Sequence, residues 1–151
     1  MQNPWGRIIW IFFHTLAEKI NAGFFEEHID TCLAIVINIC TNLPCPICSI
    51  HARQFLQKHK IKQLVKTKED FKRYLFMFHN RTNVMLRKKS PTIDILDMYK
   101  RAVFNKVASA FYKTYNSKSS FNRAYADNLN RSHTAKNTMD FLKNNYKFFN
   151  N

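Results

Sequence analysis

Two cysteines three residues apart, Cys45 and Cys48, are the residues of this sequence best suited to chemistry. They lie at a break before a predicted helix, and a helix N-terminus stabilises a thiolate and lowers the pKa of its thiol. Such a pair can exchange disulfides, bind a metal or occur by chance. In an intracellular protein, redox or metal chemistry is commoner than a purely structural bridge.

A zinc site is the less supported of these alternatives. Structural zinc takes four ligands, which usually come from two compact clusters. His51 follows the cysteine pair closely, but His59 stands alone and His79 lies in another predicted helix. The sequence therefore predicts no metal site. Cys32 and Cys40 lie on one apolar helix, where we expect buried free thiols, the alternative being a bridge across a dimer.

A second polar group follows buried aromatic residues in a later predicted helix. His79 and Asn83 are four residues apart, and Asn80 lies three residues before Asn83, so the three are neighbours on the helix surface. Lys88 and Lys89 come just after them. The pattern could hold a planar ligand with a diphosphate. The alternative is a polar helix end whose cations complement the helix dipole.

A third pair, Trp10 and His14, is also four residues apart and shares one helix face. Aromatic residues at this spacing are more often core than cofactor pocket, and a single histidine among them is more often a buried core residue. The pair alone therefore does not decide between packing and ligand binding.

Five helices are expected to position these residues, because apolar side chains recur at helical spacing. They cover about residues 5–21, 25–42, 45–58 and 68–87, and a fifth begins at Pro91. Asn21 and Gly23 are expected to end the first helix. Pro46 suits a first helical turn, and Thr67 is the predicted N-cap of the fourth helix.

The fifth helix is predicted to bury one face, which is lined by Ile93, Leu96, Tyr99, Val103 and Val107. Two weaker helices are predicted over about residues 121–129 and 134–146. This tail is either a solvated basic arm or an added helical layer that widens a dimer interface. We favour the layer because residues such as Phe141 and Leu142 are apolar.

Length and composition restrict the class of protein. The 151 residues suit one domain, and 46% hydrophobic residues supply a core. With 2 Gly and 4 Pro, an all-β fold is disfavoured and a glycine-rich phosphate loop is excluded. The longest apolar run, residues 33–39, is too short to span a bilayer. No secretory signal is recognised, so we expect a soluble intracellular protein.

The net charge of +14 first suggests nucleic acid as a partner. The charge is uneven, with +1 over residues 1–60, +7 over 61–105 and +6 over 106–151. A basic helical nucleic-acid-binding module is therefore the main alternative function, supported by tail aromatics such as Tyr112 and Tyr115. It leaves the cysteine pair unexplained.

Three motifs in order resemble the ERV/ALR family of FAD-linked sulfhydryl oxidases over about residues 4–105. They are Gly6-Arg7-x-x-Trp10-x-x-x-His14-Thr15, Cys45-x-x-Cys48, and His79-Asn80-x-x-Asn83-x-x-Leu86 followed by Lys88 and Lys89. The short length and His51 after the second cysteine resemble the viral branch. The resemblance implies an all-α four-helix bundle with a short fifth helix. Residues 1–105 would be the FAD-binding domain and residues 106–151 a basic extension, expected to be helical.

The resemblance also implies roles for individual residues. Cys48 would be the cysteine next to the flavin and Cys45 the one that meets substrate. The implied FAD contacts are Gly6, Arg7, Trp10, His14, Cys48, His51, His79, Asn80, Asn83, Leu86, Lys88, Lys89 and Tyr99. Trp10 and His14 would line the flavin or adenine pocket, and the lysines would lie near the phosphates.

The implied activity is the oxidation of protein thiols to disulfides through a Cys45–Cys48 disulfide, with electrons passing to FAD and then to O2 to give hydrogen peroxide. The implied partners are a thiol-containing protein or a small thiol-relay protein, because residues 106–151 contain no shuttle cysteine. A homodimer is implied, and membrane and nucleic acid are not expected partners. The implied location is the host cytoplasm at viral assembly sites, and the virion.

Overall fold

The computed structural model describes residues 4–117 and 125–150, and their regular structure is helical. The α-helices are α1 (Pro4–Lys19), α2 (Ala22–Glu27), α3 (Ile29–Thr41), α4 (Pro46–Lys58), α5 (Ile61–Leu64), α6 (Lys68–Met85), α7 (Phe104–Tyr115) and α8 (Tyr125–Asn144). Two 3₁₀ helices cover Ile93–Arg101 and Tyr146–Phe148. The predicted all-α fold class is confirmed.

Helix α1 lies at the centre of the core. Its Phe12, Phe13 and Leu16 are buried, and it packs against α6, α7 and the 3₁₀ helix Ile93–Arg101. Phe12 stacks on Phe111 of α7 with ring centroids 4.1 Å apart. Each such buried side chain stabilises the fold by about 1.5–3 kcal/mol relative to its exposure to water. The middle of α1 therefore holds its side chains in a fixed frame.

The predicted starts of α4 and α6 are confirmed. Pro46 is the first residue of α4. Thr67 caps α6 in a capping box, because the Asp70 amide donates to Thr67 Oγ1 at 3.1 Å and the Thr67 amide donates to Asp70 Oδ2 at 3.0 Å. Backbone amides of Lys66 and Thr67 lower the pKa of the Asp70 carboxyl. These starts are local features, which explains why the sequence predicted them.

The predicted helix over 25–42 is wrong in one respect, since it is divided at His28 into α2 and α3. The prediction that Asn21 ends α1 is wrong. Asn21 instead caps α2, because its Oδ1 accepts a hydrogen bond from the Phe24 amide at 2.9 Å. Gly23 lies inside α2. The division lets α2 bury Phe24 and Phe25 while α3 buries its own apolar face.

The predicted fifth helix is also wrong. The chain forms a 3₁₀ helix from Ile93 to Arg101, and α7 begins only at Phe104. Of the predicted face, Ile93 is 51% exposed and Val103 is 45% exposed, whereas Tyr99 is buried. Leu96 and Val107 are half-buried. The buried Lys19 ammonium of α1 donates to the Lys100 carbonyl at 2.7 Å. This contact between residues far apart in the chain uses the Lys100 carbonyl, which in a continuous α-helix would accept a backbone hydrogen bond within the helix.

The described part of the tail is a packed layer on α3 and α7. In α8, buried Arg131 donates through Nε to the Tyr115 carbonyl at 3.1 Å. Ile20 and Phe149 form an antiparallel bridge that ties the C-terminal end to the end of α1. The solvated-arm alternative is therefore wrong for residues 125–150. Residues 121–124 of a predicted tail helix lie outside the described residues, and the dimer role of the layer stays a prediction.

No helix in the described residues is long and apolar enough to cross a membrane.

We expect Phe149→Ala to lower the free energy of unfolding by about 3 kcal/mol, because this buried ring stacks on Phe104 with centroids 4.7 Å apart. Urea unfolding followed by circular dichroism measures the loss. The matched control is Leu129→Ala, at an exposed side chain of α8, which should change the free energy of unfolding by less than about 0.5 kcal/mol. Equal losses in the two variants would show that the C-terminal end does not belong to the cooperative core.

Candidate active site

Cys45 and Cys48 form a disulfide at the start of α4, with their Cα atoms 5.2 Å apart. Cys45 is the N-cap residue, and the Cys48 amide donates to Cys45 Sγ at 3.4 Å. The Leu43 amide donates to Ser49 Oγ at 2.9 Å, which ties the preceding loop to the helix. Both cysteines are partly exposed. The pair is therefore held in place and open to an incoming thiol.

Four of the predicted site residues form one cluster of rings, which we call the ring cluster: Trp10, His14, His79 and Tyr99. Trp10 lies parallel to His79, with centroids 4.3 Å apart and 4° between the planes. His14 stacks on Tyr99 at 4.9 Å. His14 Nε2 and His79 Nδ1 are 2.9 Å apart and share a hydrogen bond. The cluster joins α1, α6 and the 3₁₀ helix Ile93–Arg101.

The two histidines of the cluster are neutral. Burial, with a smaller effect from His79, lowers the pKa of His14 to about 3. Burial, with a smaller effect from Lys88, lowers the pKa of His79 to about 4. One imidazole therefore donates the shared hydrogen bond and the other accepts it. His14 Nδ1 is left buried without a partner, and so is Asn80 Oδ1. Buried polar atoms are normally hydrogen-bonded, so these two atoms are candidates to bind a polar ligand.

A line of aromatic rings connects the ring cluster to α4. Phe78 meets Trp10 edge-on with centroids 5.1 Å apart, and Phe55 of α4 stacks on Phe78 at 4.3 Å. Phe55 is seven residues after Cys48, so the two lie on the same face of α4, with buried Ala52 between them. Sequence reasoning did not select Phe55. Its spacing from Cys48 was the signal that could have found it.

The end of α6 places the predicted lysines. The Lys88 amide donates to the Asn83 carbonyl at 2.8 Å and the Arg87 amide donates to the Val84 carbonyl at 3.1 Å. Arg87 has a φ of 56°, which completes a Schellman motif. The chain reverses there, and Lys88 and Lys89 are exposed. Asn83 is buried.

The remaining predicted residues lie outside the ring cluster. Asn80 Nδ2 donates to the Pro91 carbonyl at 3.3 Å, which fixes the chain that follows α6. Gly6 is partly exposed, and Arg7, His51 and Leu86 are exposed. Among the residues that the structure describes, none of these last four makes a side-chain hydrogen bond or a ring contact with the cluster.

Metal chemistry has no ligand set here. Within residues 4–117 and 125–150, no three side chains of His, Cys, Asp or Glu are grouped so that they could hold a metal ion. Cys32 and Cys40 are buried free thiols, as predicted, and burial raises the pKa of each to about 12. They stay protonated and unreactive at neutral pH.

Comparison with known proteins identifies the family. A model described as the Erv1 / Alr family matches residues 7–102, which include the cysteine pair and the whole ring cluster. The chain belongs to the Erv1/Alr family. In this family member, α7 and α8 lie beyond the matched segment.

The curated relatives of this Erv1/Alr protein include viral enzymes. One is named FAD-linked sulfhydryl oxidase, from African swine fever virus (isolate Tick/Malawi/Lil 20-1/1983), and is 27% identical over 106 residues, covering 68% of this chain and 86% of the relative. Another is named a probable FAD-linked sulfhydryl oxidase, from fowlpox virus (strain NVSL), and is 32% identical over 91 residues, covering 60% of this chain and 87% of the relative. No solved structure matches the chain.

We expect the free energy of unfolding to fall as the pH falls from about 6.5 to about 4. The pKa values of His14 and His79 in the folded protein lie below the ordinary histidine value of 6.5, so the unfolded chain binds more protons in this window. Each such proton contributes about 1.4 kcal/mol per pH unit. Urea titrations of His14→Gln across this window should show a slope that is shallower by about one proton. The matched control is His133→Gln, an exposed imidazole in α8. An equal change of slope in both variants would contradict the assignment to the buried pair.

Proposed function

We infer that this Erv1/Alr protein is an FAD-dependent thiol oxidase that makes disulfides in thiol substrates, with O2 as the electron acceptor. The observation that carries the proposal is the placement of the Cys45–Cys48 disulfide. One end is open to solvent, and Cys48 lies on the helix face that leads through Phe55 and Phe78 to the ring cluster. Family membership supports the same chemistry.

The first step is thiol–disulfide exchange at the start of α4. A substrate thiolate attacks Cys45 Sγ, a new sulfur–sulfur bond forms, and Cys48 leaves as a thiolate. The N-terminus of α4 stabilises that negative charge. A second substrate thiolate then attacks the substrate sulfur of the mixed disulfide and releases Cys45. The substrate loses two electrons and two protons, and the cysteine pair gains the two electrons.

We propose that a flavin nucleotide binds at the ring cluster. Stacked aromatic rings suit a planar ring system, and the unpaired buried atoms His14 Nδ1 and Asn80 Oδ1 suit its polar edge. Exposed Lys88 and Lys89 suit a diphosphate, so the scarcity of glycine is no obstacle. Bound FAD supplies the two-electron acceptor that reoxidises the cysteine pair and delivers the electrons to O2.

We assign the FAD-binding role to the residues that match the family motifs. They are Gly6, Arg7, Trp10, His14, Cys48, His51, His79, Asn80, Asn83, Leu86, Lys88, Lys89 and Tyr99. Cys45 is the cysteine that meets substrate. The support is strongest for the ring cluster, whose side chains contact one another, and for Asn80, whose Oδ1 is buried without a partner.

Neither alternative function is favoured. A nucleic-acid-binding module accounts for the net charge of +14 but not for the Cys45–Cys48 disulfide or the cluster of neutral histidines. A zinc-stabilised domain lacks a ligand set in the described residues.

We also propose a boundary near residue 105, with residues 106–151 an extension packed on the FAD-binding domain. The family match ends at residue 102, which supports a boundary in this region. The physiological substrate is a thiol-containing protein or a small thiol-relay protein. The site of action is the host cytoplasm at viral assembly sites, and the virion, a proposal that the viral relatives support.

Purified protein should be yellow and keep its flavin through desalting.

Cys48→Ser should reduce thiol-dependent O2 consumption to background while FAD stays bound, because the exchange step then lacks its leaving sulfur. An oxygen electrode measures activity and visible absorbance measures FAD. Cys32→Ala, at a buried thiol remote in sequence from the pair, is the matched control and should keep activity. A colourless protein with stoichiometric zinc would refute the oxidase function, and substantial activity in Cys48→Ser would refute the role of Cys48.

We propose a homodimer, and light scattering of the purified protein should give twice the chain mass of 18.0 kDa. Large apolar side chains exposed near the end of α6 and in the following 3₁₀ helix support an association surface, namely Val84, Met85, Leu86, Ile95 and Met98. A mass of one chain at micromolar concentration would contradict the dimer.

A further inference from the structure

We propose that a polar groove beside the disulfide, built jointly by α4 and α8, binds the chain segment that flanks the thiol of a protein substrate, and that Arg53 selects an acidic residue in that segment. The inference rests on the proposed thiol oxidase function. It adds the recognition of a substrate class to that function, through residues outside the family motifs.

The groove is lined by residues that adjoin the two cysteines in the chain. Pro46, the residue after Cys45, and Ser49, the residue after Cys48, line it together with Arg53 further along α4. Its opposite wall comes from α8 and includes Asp127 and Arg131. Its volume of about 330 Å³ is near the lower end of ligand-pocket volumes, about 300–1,000 Å³. It therefore suits a short stretch of a partner chain that lies next to the disulfide.

The α8 wall is fixed in place by buried hydrogen bonds. Arg131 is 3% exposed, and its guanidinium donates to the carbonyls of Tyr115 and Ser117 and to Asn128 Oδ1. The Tyr115 hydroxyl donates to the carbonyl of Asn42, which also lines the groove, at 2.9 Å. The wall and the loop before Cys45 are thus joined through one residue. A groove that is rigid before binding loses little entropy when a partner enters it.

The charges of the groove favour an acidic partner. Arg53 is exposed and forms no ion pair or side-chain hydrogen bond with the residues that the structure describes. Arg131 has neutral oxygens as its hydrogen-bond partners, so its positive charge is not cancelled by them. Asp127 is the single carboxylate among the described lining residues, which leaves an excess of positive charge. A carboxylate next to the substrate cysteine can pair with the planar Arg53 guanidinium.

Apolar contacts at the rim complement this charge. Ile47 is 55% exposed and Ile50 is 40% exposed, and both belong to the first turns of α4 around the disulfide. The occupant is therefore an extended segment with a cysteine, an adjacent acidic side chain and an apolar neighbour. Because α8 lies outside the family match at residues 7–102, family membership does not imply this groove.

The test compares two synthetic dithiol peptides that differ only in Asp or Lys beside the attacking cysteine. The FAD-loaded protein oxidises each, and kcat/KM is measured from O2 consumption. We expect the wild type to prefer the Asp peptide by about three- to fivefold, the size expected for exposed charge pairs. Arg53→Glu should reverse that preference, and Asp127→Lys should increase it. The matched control is Arg73→Glu, an exposed arginine of α6 that does not line the groove.

The control variant separates local recognition from net charge. An equal change of the peptide ratio in Arg53→Glu and Arg73→Glu would mean that overall charge alone selects substrates, and would overturn the groove. Equal kcat/KM values for the two peptides with the wild type would overturn it too. Dithiothreitol oxidation is measured in parallel. Failure to oxidise dithiothreitol would refute the thiol oxidase function, whereas oxidation without a peptide preference would refute the groove alone.

Discussion

The stack of Trp10 on His79, closed by the hydrogen bond between the two histidines, is the contact on which the site depends. It fixes the middle of α1 against the second half of α6. Because burial keeps both imidazoles neutral, they share one hydrogen bond where two cations would repel. The stack therefore requires the buried core around α1, and it fixes Trp10, His14 and His79 relative to one another.

The aromatic rings transmit that fixed frame to the cysteines. Trp10 contacts Phe78, and Phe78 contacts Phe55 of α4. Cys48 lies on the same face of α4 as Phe55. Rings packed in this way have few alternative rotamers, so the distance between α4 and the ring cluster is set by packing. A redox pair that must pass electrons to a bound cofactor needs a set distance of this kind. Polar loops alone would not supply it.

The C-terminal layer adds to the core and to the surface near the cysteines. Phe149 packs at the end of α1, where it forms a β-bridge with Ile20. Arg131 of α8 donates a hydrogen bond to the Tyr115 carbonyl at the end of α7. Tyr115 then connects α7 to Asn42, just before Cys45. A basic segment that resembles a solvated tail by composition is in fact part of the wall beside the disulfide. Part of the charge of the extension thus lies next to the proposed chemistry.

The sequence by itself determined the features that depend on neighbours along the chain. The cysteine pair, the proline at the start of α4 and the capping box of Thr67 need only residues within one helical turn, and the resemblance of three ordered motifs indicated the family. Tertiary structure decided what depends on distant residues. The Lys19 ammonium donates a hydrogen bond to the Lys100 carbonyl, in the segment where a fifth α-helix was predicted. Phe55 stacks on Phe78, and residues of α8 and α4 line the same groove. A hydrogen bond between residues eighty positions apart leaves no periodic trace in the sequence, because its strength depends on burial that only the folded chain creates.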